Sequence, residues 1–200
     1  VEVGREFAQW ADRIRKERAM DTMRSSRREL LIAAGPVVLA GVIGVPRPSV
    51  ATLTVANDRP YWRYCAKCQV MFYTDAEKGA CAAGATHQPM GYQFFLPFDG
   101  AETPTAQANW RCCRNCQELF FNGFREKGRC PAGGVHAADH DFKYVLPHSV
   151  HEAARTQRNW RYCARCQAMF YDGFPTKGHC AAKGVHAAAG YNFVLPHSRR

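Results

Sequence analysis

Three times along the chain a tryptophan precedes a Cys-x-x-Cys pair, a third cysteine follows, and a histidine stands six residues beyond it. The sets are Cys65, Cys68, Cys81 and His87; Cys113, Cys116, Cys130 and His136; and Cys163, Cys166, Cys180 and His186. Each string opens on Trp62, Trp110 or Trp160 and closes on an apolar run such as Tyr191, Phe193, Leu195. The tryptophans lie 48 and 50 residues apart, so the chain carries a threefold internal repeat over residues 60–97, 109–147 and 159–196.

Three thiolates and an imidazole form a closed tetrahedral shell, the composition of a structural zinc site. Two cysteines separated by two residues suit a tight knuckle, and the third cysteine and the histidine must then return on a second loop. Disulfides are the rival chemistry, one that an exported chain permits. Counting disfavours them: three aligned cysteines per repeat always leave one over, and a disulfide scheme gives the histidine no task. The tenth cysteine, Cys112, shares a column with Tyr64 and Tyr162 and is read as an extra, not a ligand. A redox role lacks the βαβ pattern that such motifs sit on. Catalytic zinc is disfavoured because four protein ligands leave no position for water.

A unit of this size is too small for a hydrophobic core alone, and a structural zinc contributes on the order of 10 kcal/mol to folding. The aromatics are therefore core candidates, and final runs such as Tyr92, Phe94, Leu96 alternate as half-buried strands do. The expected fold is mainly β: three small zinc-ribbon-like units with almost no helix. Equal linkers, Phe98 to Asn109 and His148 to Asn159, favour either a pseudo-threefold closure or a stacked array. The second linker can take a helical turn. His140, His148, His151, His179 and His197 are unaligned and read as surface.

A polar set also recurs. Arg63, Arg111 and Arg161 follow the tryptophans; Gln69, Gln117 and Gln167 follow the knuckles; Lys78, Lys127 and Lys177 precede a turn glycine. These residues serve either the fold or three equivalent ligand sites built from tryptophan, arginine and amide. The Trp-Arg-x-Cys-x-x-Cys opening and the Gly-x-Cys-Pro-Ala-Gly-Gly-x-His middle of the second repeat resemble tandem repeats of secreted bacterial proteins. The resemblance spans residues 60 to 197 and brings no particular activity with it. Repeat 1 departs from the pattern in lacking the Gly-Phe of Gly123-Phe124 and Gly173-Phe174.

Upstream, Arg24, Arg27 and Arg28 precede a sixteen-residue apolar run from Leu30 to Val45. A membrane-spanning helix needs roughly 20 residues, and this run is broken at Gly35-Pro36. Small residues at Ser49-Val50-Ala51 and Thr54-Val55-Ala56 suit signal-peptidase cleavage. Ser26-Arg27-Arg28-Glu29-Leu30-Leu31 resembles the twin-arginine export signal. We read residues 20–56 as that signal, with one helix, and 1–19 as an upstream leader, since Met20 or Met23 is a more natural start. The resemblance implies the twin-arginine export machinery as a partner and a secreted, periplasmic or cell-surface destination. Membrane contact is then limited to this segment if it stays uncleaved.

No nucleophile–base pair, paired carboxylates or phosphate loop accompanies the repeats. The leading expectation is an exported binding or adhesion module for glycans or proteins. The alternatives are a single-stranded nucleic-acid-binding zinc module and a small secreted metal-dependent hydrolase. The net charge of +10 favours nucleic acid only weakly, because each Cys3His zinc centre would add a negative charge and export removes the chain from cytoplasmic nucleic acid.

Overall fold

Each Trp-Arg segment becomes the middle strand of its own sheet. A computed structural model describes residues 57–198; the expected leader, and the segment read as an export signal with one helix, lie outside the described residues. Repeat 1 supplies β1 (Asp58–Cys65), β2 (Met71–Tyr73) and β3 (Pro89–Pro97). Repeat 2 supplies β4 (Ala106–Cys112), β5 (Leu119–Phe121) and β6 (Tyr144–Pro147). Repeat 3 supplies β7 (Thr156–Cys163), β8 (Met169–Tyr171) and β9 (Ala188–Pro196). The sheets are antiparallel, ordered β2-β1-β3, β5-β4-β6 and β8-β7-β9. Among the described residues there is no helix. The second linker forms a turn and then enters β7 instead of coiling.

Alternation explains the middle strands: Trp62 and Tyr64 point inward while Arg63 between them is half-exposed, and the other repeats follow suit. A bulge interrupts pairing just before each tryptophan. There Tyr61, Asn109 and Asn159 take positive φ values of 72°, 67° and 69°. Asparagine tolerates that conformation well; tyrosine does so less readily.

The three sheets close into a ring. Tyr73 N donates to Gln117 O (2.9 Å), Phe121 N to Gln167 O (3.0 Å) and Tyr171 N to Gln69 O (2.9 Å). The last bond joins the third repeat to the first, which a stacked array would hold apart. Of the two arrangements the sequence allowed, the closed pseudo-threefold is the one formed. The tryptophans are wholly buried, each with a ring from the next repeat set edge-on: Trp62 and Tyr144, Trp110 and Phe193, Trp160 and Phe94, all at 5.1 Å.

One expectation needs correcting. His148 and His197 are aligned after all, since each follows a Leu-Pro that ends its repeat, as Phe98 does in repeat 1. Each of the three rings packs on the next repeat: Phe98 on Phe142 (4.9 Å), His148 on Tyr191 (3.6 Å) and His197 on Tyr92 (3.8 Å). His148 is only 2% exposed, and burial lowers its pKa from 6.5 to about 4. It is a packing residue, not a surface one.

Candidate metal centre

The knuckle is built by the backbone. Gln69 N, Gln117 N and Gln167 N donate back to the carbonyls of Cys65, Cys113 and Cys163, at 2.9, 2.8 and 2.9 Å. The glutamines sit at φ values of 67°, 63° and 67°, a left-handed turn that reverses the chain and aims both thiols the same way. The first cysteine of each knuckle then donates its N–H to Val70, Glu118 or Ala168, one residue past the glutamine.

In each repeat the return loop brings the third cysteine and the histidine to the knuckle. Four donor atoms, all within 4.8 Å of one another, gather at Cys65, Cys68, Cys81, His87; at Cys113, Cys116, Cys130, His136; and at Cys163, Cys166, Cys180, His186. Every one of these side chains is buried. The first and third thiols are 4.0, 3.9 and 3.9 Å apart. The second thiol lies 3.4, 3.5 and 3.5 Å from the histidine Nδ1. A tetrahedral ion with bonds of about 2.3 Å to sulfur and about 2.0 Å to nitrogen sets donors roughly 3.5–3.8 Å apart, so the groups fit such an ion. A disulfide needs about 2.05 Å, and all ten cysteines are free. Cys112 belongs to none of the three groups.

The thiols alone are in electrostatic conflict. Hydrogen bonds from Cys68 and Cys81 hold the Cys65 thiol far below its ordinary range, while burial drives Cys68 far above it. A divalent cation removes that conflict by letting all three carry the charge that ligation requires. Two backbone N–H groups already face thiols, Gln88 N at 3.4 Å from Cys65 Sγ and Ala137 N at 3.5 Å from Cys113 Sγ.

What orients each imidazole comes from two repeats. Within its own repeat a phenylalanine stacks on it: Phe72 on His87 (4.6 Å), Phe120 on His136 (4.8 Å) and Phe170 on His186 (4.7 Å). The far nitrogen, Nε2, then reaches a knuckle carbonyl of the next repeat: His87 to Cys116 O (3.1 Å), His136 to Cys166 O (3.1 Å) and His186 to Cys68 O (3.0 Å). With Nδ1 ligating, Nε2 carries the proton and donates to the carbonyl, as the far nitrogen of a metal-bound histidine does. Each accepting carbonyl belongs to a ligand cysteine, so the three centres are linked around the ring.

The same carbonyls fix the turn glycines. A Cβ on Gly79, Gly128 or Gly178 would meet Cys116 O, Cys166 O or Cys68 O at 2.1, 2.1 and 2.2 Å. The lysines before these glycines in repeats 2 and 3 cap their own turns. Lys127 Nζ donates to Asn122 O (2.7 Å) and to Phe124 O, and Lys177 Nζ to Asp172 O and Phe174 O, both at 2.8 Å.

The tryptophans and two of the recurring glutamines lie in the interior, while the recurring arginines are half-exposed. Trp62, Trp110 and Trp160 have no exposure, and Gln69 and Gln167 are buried, so these residues offer no platform to a ligand. Gln69 Nε2 donates to Thr176 Oγ1 across to repeat 3 (2.9 Å), and Gln117 Nε2 to Arg114 O (3.2 Å). Arg63, Arg111 and Arg161 donate to Gly91 O, Phe142 O and Gly190 O at 3.2, 3.1 and 3.2 Å, tying the middle strand to the start of the third. Arg111 also lines a polar cavity of about 740 Å³ with Asn109, Asn122, Asp99, Asp141 and Lys143.

Glu118 is a residue the sequence reading passed over. It stands in the column of Val70 and Ala168 and is 1% exposed; neither carboxylate oxygen has a hydrogen-bond partner. Its oxygens lie 3.7 Å from His87 Nε2 and 3.8 Å from His136 Nε2, near the centre of the ring. Burial raises its pKa, and the three ligand histidines oppose that rise. An acid in an otherwise aliphatic column was the available signal.

Comparison of the chain with protein-family models, with curated proteins and with solved structures returned no match.

Proposed function

We propose that the chain is an exported, zinc-stabilised binding module that meets a glycan or a protein ligand outside the cytoplasm. The observation that carries this reading is the set of three buried shells, each supplied with four protein donors. A shell of that kind suits a structural ion and leaves no position for a reacting water. The Cys3His composition and the tetrahedral spacing suit zinc and disfavour the oxygen-seeking cations. Exposed aromatics and a polar cavity at the outer surface supply places for a ligand. Twin-arginine export suits a chain whose fold depends on metal, since that route carries proteins already folded.

Two experiments test the reading. The full zinc-loaded chain is applied to a combined array of glycans, peptides and single-stranded nucleic acids. Retention of a glycan or peptide is expected; retention of nucleic acid alone would favour the alternative. Replacing Arg27 and Arg28 with lysine should trap the precursor in the cytoplasm, and unchanged secretion would point to the general export route.

A further inference from the structure

On the outer face of the second and third sheets, the linker that enters the repeat lies along the return strand and leaves a groove beside it. Asp99 N donates to Lys143 O (2.8 Å) in repeat 2, and Ser149 N to Asn192 O (3.1 Å) in repeat 3, so the two grooves occupy equivalent places. They differ in size, at about 740 Å³ in repeat 2 and about 310 Å³ in repeat 3.

Three departures of repeat 2 converge on its groove. The first is bulk: Val150, His151 and Arg158 line the repeat 3 groove where repeat 2 has Gly100, Ala101 and Ala108. The second is polar closure. In repeat 3, Asn159 N donates to Asn192 Oδ1 (2.8 Å), Asn192 Nδ2 donates to Asn159 Oδ1 (3.3 Å), and Asp172 Oδ1 holds Lys177 Nζ (2.8 Å). Repeat 2 has Lys143 for Asn192 and Asn122 for Asp172, and its Asn109 and Asn122 line the groove without those ties. The third is an insertion. Tyr144 follows His136 by eight positions, whereas Phe94 follows His87 and Phe193 follows His186 by seven. The return strand is cut to four residues from the nine of β3 and β9, and His140 and Asp141 join the wall of the groove.

We infer that the repeat 2 groove is a binding site for a neutral saccharide. The inference rests on the reading of the protein as a binding module and names glycan as its ligand. The volume falls within the roughly 300–1,000 Å³ of small-molecule sites, but such sites are mostly apolar. Here amides, carboxylates and cations make up most of the wall, which suits a ligand that is polar all round. Each sugar hydroxyl both donates and accepts, so it can use Asn109 and Asn122 as readily as Asp141 or Lys143. Two carboxylates, Asp99 and Asp141, balance two cations, Arg111 and Lys143. They are also intermixed: Arg111 donates to Phe142 O (3.1 Å) while Asp99 N donates to the next carbonyl, that of Lys143. A zwitterion or a peptide terminus needs separated poles, which this wall lacks. An anionic polymer would meet the two carboxylates at a cost.

The test titrates the full metal-loaded chain with the methyl glycosides of glucose, galactose and mannose, and with glycine and glucuronate, following the side-chain amide resonances of Asn109 and Asn122 by NMR. Saturable shifts are expected with at least one glycoside, at least fivefold tighter than with glycine or glucuronate. Ala108→Arg, which returns the bulk found in repeat 3, should weaken that binding at least tenfold with metal content unchanged. If Ala108→Arg does not fold, Lys143→Asn, which returns the closing amide, decides by the same measure. No saturation by any glycoside, or undiminished binding by the folded variant, overturns the site. Tighter saturation by glycine or glucuronate keeps the groove and overturns the neutral-saccharide assignment. A glycan or peptide retained on the array that leaves both amides unshifted overturns the groove while leaving the binding-module reading intact.

Discussion

The seam between repeats 1 and 2 and the seam between repeats 3 and 1 share a backbone and differ in what fills them. At the second, Phe174 of repeat 3 packs on Tyr64 of repeat 1 (6.0 Å); at the remaining seam, between repeats 2 and 3, Phe124 packs on Tyr162 in the same way (6.0 Å). At the first, both partners are missing: repeat 1 has no Gly-Phe in its turn, and repeat 2 has Cys112 in place of the tyrosine. Two irregularities that look unrelated along the chain are two halves of one lost contact, and Arg59, its guanidinium carbon 4.3 Å from the Tyr73 ring of repeat 1 and 3.7 Å from the Phe142 ring of repeat 2, bridges the seam that lost it. Beneath, the histidine-to-carbonyl bonds at all three seams agree within 0.1 Å. The metal layer is held constant while the aromatic layer diverges.

That contrast can be broken at the metal layer first. A structural metal ion in a shell of this kind contributes on the order of 10 kcal/mol, and each histidine leans on the next repeat's knuckle, so bound ions should leave together. Native mass spectra during chelation are expected to show mainly three ions or none, and Cys116→Ser should retain fewer than two. Stepwise loss through stable two-ion and one-ion species would show three independent centres.

Next in size, Gly79→Ala, Gly128→Ala and Gly178→Ala each force a Cβ onto a carbonyl at positive φ. Each should destabilise by roughly 3–4 kcal/mol, measured by denaturant unfolding of the zinc-loaded chain. Equal losses would confirm a uniform metal layer; a mild Gly79→Ala would carry the divergence of the first seam down into it.

The aromatic layer predicts a pH effect at one seam. His148 packs where repeat 1 has Phe98, and its folded pKa of about 4 lies below its ordinary 6.5. Protonation therefore favours the unfolded chain: the stability is present above pH 6.5 and is lost as pH falls toward 4, by roughly 2–3 kcal/mol. Ligand protonation acts in the same range, so the comparison is between wild type and His148→Phe, whose stability should fall less steeply than the wild type's as pH falls. Parallel curves would remove the histidine from the account.

Smallest is Glu118→Val, which restores the residue of repeat 1 to a buried site where the carboxylate has no hydrogen-bond partner. A gain of roughly 1–2 kcal/mol is expected, read as a raised melting temperature at full zinc occupancy. A loss would mean that the carboxylate helps to orient His87 and His136.

Much of this was legible in the sequence because the ligands, the tryptophans and the alternating runs recur in register. The choice between ring and stack was not, since equal linkers suit both; the bond from Tyr171 N to Gln69 O decides it. Trp62, Trp110 and Trp160 were read both as core and as ligand contacts, and only burial separates the two. The glutamines recur for a backbone reason, the left-handed turn of the knuckle, which no side-chain chemistry announces. His148 and His197 escaped alignment because the repeats were ended at the proline just before them. Arg59 and Glu118 were hidden by being exceptions to their columns.

Closure also sets a limit on ancestry. An open array of repeats lengthens by tandem duplication, because a new copy needs only the neighbour before it. Here His186 must find Cys68 and Tyr171 must find Gln69, so a fourth copy would part the last unit from the first. A change of copy number therefore requires every joint of the ring to reclose at a new angle, whereas a substitution at one joint leaves the closure intact. The growth that extends a solenoid would, in this chain, be a lesion.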